Sequence, residues 1–215
     1  MTVKILFRDQ AYLKELKAKI VKIEQNKVWL DQTIFYAFSG GQITDTGTLN
    51  GIPVVQADMD KDTEEIVYTL ESAEGLKIGQ EVVIQIDWEK RYKIMRLHSL
   101  AHLTDRVFEQ VCGKHECVGS NIDLTKSRLD YMYPENLNTV LPKIQEQVQQ
   151  LINEGHEIKR YIEPGTKNNW AWEMGNHKTF CGGTHVKNSK EIGNIKLKRA
   201  NIGKGKERIE CTLVD

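Results

Sequence analysis

The sequence predicts an α+β fold in two parts: a small β-barrel or sandwich first, then a half in which helices pack on a largely antiparallel sheet. Three observations carry this. Short apolar runs separated by turn residues fill the first eighty-odd positions, which suits a small closed or two-layered β unit. The apolar period switches from two to helical at Asp87-Trp88. Beyond that helix, strand-like and helix-like segments mix, and the strands read as neighbouring pairs. The switch places the domain boundary between residues 87 and 88, giving domains 1–87 and 88–215. A chain of 215 residues has room for one large or two modest domains.

In order, Val3 to Phe7 reads as a short strand, and Asp9 as the cap of a brief helix through Leu16. Ala18, Ile20 and Ile23, then Val28 and Leu30, flank a Gln25-Asn26 turn and predict a hairpin. Asn50-Gly51, between Gly47-Thr48-Leu49 and Ile52-Pro53-Val54-Val55, predicts a second, because a type I′ turn needs positive φ at both central residues. Ile66 to Leu70 and Val82 to Ile86 add two strands. Asp87 then caps a helix along which Ile94, Leu97, Ala101, Phe108 and Val111 recur up to Gly113, a residue suited to the left-handed stop. Val118 to Ile122 and Arg128 to Tyr133 read as a strand pair, and Asn138 to Asn153 as a second helix ending at Gly155. Glu157 to Ile162 follows as a strand, and a loop-rich stretch with Trp170 and Trp172 leads to Cys181. Ile195 to Arg199 and Ile209 to Val214 close the chain as strands.

Hydrophobic residues make up 40% and charged residues 28%, enough for a sizeable core in a globular chain. Lys+Arg and Asp+Glu both number 30, so net charge neither favours nor excludes a nucleic acid. Its distribution is uneven: Lys187 to Arg208 carries a net +6, and Asp58 to Glu74 a net −6. Met1 to Gln10 holds no apolar leader core and no run approaches 18 apolar residues, so neither signal peptide nor membrane span is expected. The four cysteines are therefore read as thiols or metal ligands in a cytoplasmic protein.

His98 and His102, four apart, share one helix face about 5–6 Å from each other and can ligate one ion. They sit at the edge of the apolar stripe, beside the core. Ser99 stands where a metalloprotease of the H-E-x-x-H type carries its glutamate, which argues against peptide hydrolysis. Cys181-Gly182-Gly183-Thr184-His185 supplies the partners: its glycines let a tight loop fold back, bringing a thiolate and an imidazole to the same ion. A set of His98, His102, Cys181 and His185 is a tetrahedral nitrogen–sulfur site, which favours zinc over calcium or magnesium. The bland alternative makes Cys181 a small buried hydrophobe on a plain turn. Cys112 and Cys211 fall on apolar stripes, Cys117 stays ambiguous, and His115, His156 and His177 are read as surface or supporting residues.

Ser39-Gly40-Gly41-Gln42-Ile43-Thr44-Asp45-Thr46-Gly47 matches neither a phosphate-binding P-loop nor a dinucleotide fingerprint. It is either a turn or a loop whose backbone approaches a ligand. The basic run Arg199-Ala-Asn-Ile-Gly-Lys-Gly-Lys206 sets cations among glycines, which suits phosphate contact.

Assembled, these segments resemble the free-standing alanyl-tRNA editing proteins (the AlaX family) and the editing domain of alanyl-tRNA synthetase. The likeness runs in order through Phe35-Tyr36, Ser39-Gly40-Gly41-Gln42, Asp45-Thr46-Gly47, Arg96-Leu97-His98-Ser99 and Ala101-His102. It continues through Val118-Gly119-Ser120, Arg128-Leu129-Asp130-Tyr131, Cys181-Gly182-Gly183-Thr184-His185-Val186, Glu191-Ile192-Gly193 and Arg208-Ile209-Glu210. The resemblance implies one zinc per chain on the four ligands already reached from spacing. It implies a barrel-like N-terminal domain carrying the glycine-rich motif, followed by a zinc-containing editing domain. The substrate it implies is mischarged tRNA(Ala) edited in trans, seryl-tRNA(Ala) first and the glycyl form second; the sequence leaves the oligomeric state open, with a monomer favoured, and its apolar runs give no membrane contact. Relatives place a Gln or Thr in the stretch matching Val118-Gly119-Ser120; here Ser120 is the nearest hydroxyl.

An editor is needed because a synthetase pocket built for alanine rejects an added hydroxyl by only ~10². Four protein ligands fill a tetrahedral ion, so orientation of substrate is expected of the zinc rather than generation of the nucleophile. Supporting catalytic roles are expected of Ser120, Gln42 and Asp45, substrate approach at Gly40, Gly41 and Thr46, and phosphate contact at Lys204 and Lys206. The competing reading is a tRNA-binding module with a structural zinc.

Overall fold

The structure, a computed structural model, describes residues 3–38, 40–60 and 62–214. Ser39, at the head of the glycine-rich motif, and Lys61 in the acidic run lie outside the described residues. The chain divides into two compact units, residues 1–92 and 93–215.

The first unit is built from β1 (Lys4–Ile5), β2 (Glu15–Glu24), β3 (Lys27–Leu30), β4 (Gln32–Thr33), β5 (Gly47–Leu49), β6 (Ile52–Met59), β7 (Ile66–Leu70) and β8 (Glu81–Ile86). Six strands close a barrel in the order β2-β3-β7-β6-β5-β8, all pairs antiparallel; β1 and β4 pair in parallel beside it. Closure removes every sheet edge, so the barrel reading prevails over the sandwich. The two-residue period fills it: Ala18, Ile20, Val28, Leu49, Tyr68 and Ile84 point into one core, each large aliphatic contributing about 1.5–3 kcal/mol.

Both hairpins form as their turn residues dictate. Asn50 and Gly51 adopt φ of 49° and 81°, and the Asn50 side chain accepts the Val83 N–H at 2.7 Å, tying the turn to β8. Gln25 takes φ of 55° between β2 and β3. Gly47 is needed for close approach, since a Cβ there would overlap the Gln85 carbonyl.

The helix expected from Asp9 to Leu16 does not form. Gln10 N–H donates to the Leu6 carbonyl at 2.8 Å and Leu13 N–H to the Gln10 carbonyl at 3.0 Å, a pair of turns. From Glu15 the chain is already in the barrel, with Leu16 opposite Ile84. The alternation of Leu16, Ala18 and Ile20 is answered by β8, and that ladder outweighs a lone capping aspartate.

Helix α1 (Trp88–Cys112) begins within the first unit and continues through the second. Asp87 caps it, accepting the Lys90 N–H at 3.2 Å, and Gly113 stops it at φ of 83°. The second unit adds β9 (Cys117–Ile122), β10 (Ser127–Met132), α2 (Leu141–Glu154), β11 (Lys159–Ile162), β12 (Trp170–Met174), β13 (His177–Phe180), β14 (Ile195–Gly203) and β15 (Lys206–Leu213). They form a four-stranded sheet ordered β14-β15-β10-β9 and a three-stranded sheet ordered β11-β12-β13, both antiparallel. Phe108 of α1 stacks on Tyr131 of β10 with centroids 3.9 Å apart. Gln145 and Gln149 of α2 accept the Leu197 and Ile195 N–H groups at 2.8 and 3.1 Å, covering the open edge of β14.

Two further expectations are corrected here. The second helix starts at Leu141 rather than Asn138. Asn136 caps a separate short 3-10 turn, Leu137–Thr139, and Pro142 opens α2, where its missing N–H costs nothing. The stretch containing Trp170 and Trp172 is not loop but the hairpin β12–β13, with Met174 opposite His177 around Gly175-Asn176, Gly175 at φ of 61°. The last two strands run to a tight turn at Lys204-Gly205, whose φ values are 56° and 70°. No described helix is long and apolar enough to cross a membrane.

Candidate metal centre

Helical spacing sets His98 and His102 one turn apart on α1, their rings stacked with centroids 5.1 Å apart. The loop after β13 brings in the other two. The Cys181 Sγ lies 3.3 Å from His98 Nε2 and 3.3 Å from His185 Nε2. Ligating atoms of all four residues fall within 4.8 Å of one another, and the group can hold a metal ion. His102 Nε2 is buried with no hydrogen-bond partner among the described residues. A buried, unmet imidazole nitrogen costs about 1–3 kcal/mol, and a cation among the four donors removes that cost. The residues present therefore fit a metal.

The surroundings hold the imidazoles neutral, the form that ligates. Burial, then the charges at Arg160 and His177, pushes His102 down to about 3. His98 and His185 are driven well below the usual imidazole value, again by burial first. Burial raises the Cys181 thiol, while the Arg160 charge and the Gly183 N–H, 3.5 Å from Sγ, act in the opposite direction.

Three supporting residues were not singled out by the sequence for these tasks. The Ser99 hydroxyl accepts the Val186 N–H at 3.2 Å and lies 3.4 Å from His185 Nδ1. An oxygen with two lone pairs can accept from both, which leaves Nε2 of His185 free to ligate. Arg160 of β11 donates one Nη to the carbonyls of Cys181 and Gly183 at 2.6 and 3.2 Å, pinning the ligand loop. Trp172, fully buried on β12, stacks on His102 at 5.0 Å. The i, i+1 relation of His98 and Ser99 was visible, but its value depends on a loop that arrives 86 residues later. His177 sits half-buried with its ring edge-on to Trp172 at 5.9 Å.

The remaining expected site residues occupy different settings. In the first unit, Asp45 is buried and both its oxygens are engaged. It accepts the Tyr36 N–H at 2.6 Å and pairs with the Arg91 guanidinium, whose Nε lies 2.8 Å away. Arg91 also donates to the Ala11 and Ile34 carbonyls at 3.1 and 2.6 Å. Gln42 is buried, Gly41 half-buried and Gly40 exposed. Thr46 is exposed, its hydroxyl 3.3 Å from the Lys90 ammonium. In the second unit, Ser120 is exposed on edge strand β9 opposite Leu129. Lys204 is exposed at the β14–β15 turn and Lys206 half-buried just after it. Arg199 is bound in a fork to Glu207.

Comparison with known proteins agrees with this arrangement. Residues 2–90 match the model for class II (A) tRNA synthetases, and residues 173–210 match that of the threonyl and alanyl tRNA synthetase second additional domain. The alanyl-tRNA editing protein AlaX-M of Pyrococcus horikoshii is 43% identical over 99% of this chain and 98% of its own length. AlaX-M of Methanosarcina mazei is 30% identical over 100% of this chain and 98% of its own length. The alanine–tRNA ligase of Methanococcus aeolicus is 31% identical over 97% of this chain, which spans only 25% of that enzyme. A donor cluster split between a helix and a C-G-G-T-H loop, in a chain that also forms a six-stranded barrel and is matched end to end at this identity, places the chain in the family of alanyl-tRNA editing proteins.

Proposed function

We propose that this chain hydrolyses the ester of mischarged tRNA(Ala), with seryl-tRNA(Ala) as preferred substrate and the glycyl form second, at a site organised by one zinc ion. One observation carries the reading. In a chain of this family, three imidazoles and a thiol converge within 4.8 Å while His102 Nε2 has no other partner. Three imidazole nitrogens and one thiolate form the nitrogen–sulfur donor set that favours zinc over calcium or magnesium.

In this reading residues 1–87 form the barrel domain with the glycine-rich motif, and residues 88–215 the zinc-containing editing domain. His98, His102, Cys181 and His185 hold the ion, which when bound would orient the aminoacyl group and polarise its ester. Ser99 holds His185 in its ligating tautomer, and Arg160 keeps the Cys181 carbonyl loop in place. Asp45, locked by Arg91, acts as a positioning residue for the segment from Tyr36 to Thr46, and Gln42 packs within it. Gly40, Gly41 and Thr46 form the part of that segment open to substrate. The Ser120 hydroxyl is free on an edge strand to hydrogen-bond substrate or water. Lys204 and Lys206 contact RNA phosphate.

The test is deacylation of Ser-tRNA(Ala), Gly-tRNA(Ala) and Ala-tRNA(Ala) by the zinc-loaded protein. Hydrolysis of the seryl form at least tenfold faster than the alanyl form is expected. Equal rates on both, or none on the seryl form, would overturn the proposal. A closed four-ligand set is also the hallmark of structural zinc, so the alternative is a tRNA-binding module. It would be established by one zinc per chain and tRNA binding without hydrolysis.

A further inference from the structure

Several segments singled out in the sequence take no part in the metal centre: Gly119, Arg128 with Asp130, and Arg208 with Glu210. Strand register puts them together. Lys198, Glu210, Arg128 and Asn121 form one row across β14, β15, β10 and β9; Ala200, Arg208, Asp130 and Gly119 form the next. Lys196 pairs with Thr212 above them and Lys206 with Met132 below. Register partners share a face, and the alternate residues Leu197, Ile209 and Leu129 are buried on the other.

Among the described residues of these rows and the flanking Lys126, six side chains are cationic and two are carboxylates. Both carboxylates are already engaged. Asp130 is shared between Arg208, at 2.7 and 3.0 Å, and Arg128; Glu210 meets Lys126 at 2.5 Å. The surplus rests on Lys196 and Lys198, both exposed, and on half-buried Lys206. A Cβ at Gly119 would come within 3.2 Å of an Asp130 oxygen, so glycine lets the bridging carboxylate sit beside β9. None of the row residues is aromatic.

We propose that this face of the four-stranded sheet docks the phosphate backbone of duplex RNA; the choice of RNA rests on the tRNA reading above. Lys196 and Lys198, two residues apart on β14, project about 7 Å from each other. The shared carboxylate fixes the two arginines, each of which keeps N–H donors beyond those spent on Asp130. Single-stranded RNA is bound mainly by stacking on aromatic rings, whereas duplex RNA is recognised through shape and phosphates. A cationic face without rings fits the second. It also moves the expected phosphate contact away from Arg199, which shares the Ile209–Leu129 face, and toward the opposite face of the same strand.

The test is binding of uncharged tRNA(Ala), a blunt 12-base-pair RNA duplex and a single-stranded 12-mer to the zinc-loaded protein between 50 and 200 mM salt. The Lys196→Ala/Lys198→Ala variant should keep the parent's zinc content and near-ultraviolet circular dichroism. It should lower the salt slope for tRNA and duplex by about two, so that the parent loses about tenfold more affinity across that range. Lys143→Ala/Lys159→Ala removes the same charge from α2 and β11 and should keep the parent's slope. An unchanged slope in the first variant, an equal fall in the second, or tighter binding of the single strand would each overturn the proposal. The outcomes separate from those of the deacylase reading. A parent that hydrolyses Ser-tRNA(Ala) while the first variant keeps its slope defeats the surface alone. A parent that binds duplex as described without hydrolysis defeats the deacylase alone.

Discussion

Two clusters of buried polar side chains, one in each unit, are built from similar material and finished differently. In the first unit, Asp45 and Arg91 complete each other: the carboxylate has the guanidinium and the Tyr36 N–H, and the guanidinium has two further carbonyls. In the second, His98, Cys181 and His185 lean on one another while His102 Nε2 has no hydrogen-bond partner among the described residues. Other buried atoms also lack a partner among the described residues, Trp29 Nε1 and Arg8 Nε in the first unit included; His102 differs because three further ligating atoms converge on it. On this contrast the glycine-rich segment is held from within, and the histidine–cysteine cluster is arranged so that it can hold a metal ion.

The contrast breaks most visibly if the metal is taken away. With one zinc bound, removal of the ion by a chelator, or Cys181→Ala, should abolish one-to-one zinc binding and reduce deacylation at least 10²-fold. The second unit should lose about 4 kcal/mol of unfolding free energy, the linkage expected when zinc is present at about a thousand times its Kd. Zinc retained in full by Cys181→Ala would show that the ion lies elsewhere.

In the first unit no additive should matter and the chain's own partner should matter greatly. Asp45→Ala leaves a fully buried guanidinium without its carboxylate, a change that costs about 3–5 kcal/mol. Urea unfolding followed by far-ultraviolet circular dichroism should report it. A loss under about 1 kcal/mol would mean that the pair is not the scaffold described.

These two clusters also show what a sequence displays and what it hides. The convergence of His98, His102, Cys181 and His185 was legible because helical spacing and a C-G-G-T-H loop are short-range patterns. Asn50-Gly51, Gln25-Asn26 and the helix from Asp87 to Gly113 were legible for the same reason. Asp45 drew notice as part of a possible ligand loop, whereas its bond to Arg91 spans 46 residues and leaves no local trace. The β12–β13 hairpin was hidden because Trp170 and Trp172 gain strand character only from the partners Ile162, Arg160 and Thr179. The Asp9 helix failed in the opposite direction, a local cap overruled by a distant strand.

Acid should separate the clusters next. The three cluster histidines have folded values below the unfolded 6.5, so the unfolded chain binds more protons as pH falls through that value. Metal-free protein is therefore most stable above about pH 6.5 and loses stability below it, toward the depressed folded values. Between pH 7 and 6 each histidine costs about 0.7 kcal/mol, about 2 for the three. Replacing all three by Gln should flatten this slope, whereas Asp45→Asn should not. A pH-independent metal-free protein would contradict the burial of the cluster.

A smaller effect is expected one shell out. Ser99→Ala removes the oxygen beside His185 Nδ1 and should weaken zinc binding about tenfold, ~1.4 kcal/mol. That is the low end for such partners because the contact is long, at 3.4 Å. Competition with a zinc chelator measures it, and an unchanged affinity would return His185 to a position set by loop packing alone.

The smallest change tests where neither kind of cluster exists. Lys204 stands exposed in the left-handed region at the β14–β15 turn, with φ of 56°. A lysine there meets a conformational cost that glycine avoids, so Lys204→Gly should raise stability by about 0.5–1 kcal/mol. The same substitution removes a cation proposed to meet phosphate, and should lower the salt slope of tRNA binding by about one. The two readouts move in opposite directions, as expected where a strained position is kept for a partner rather than for the fold. A gain in stability with no change in slope would leave the strain unexplained by RNA and confine phosphate contact to the lysines on the sheet face.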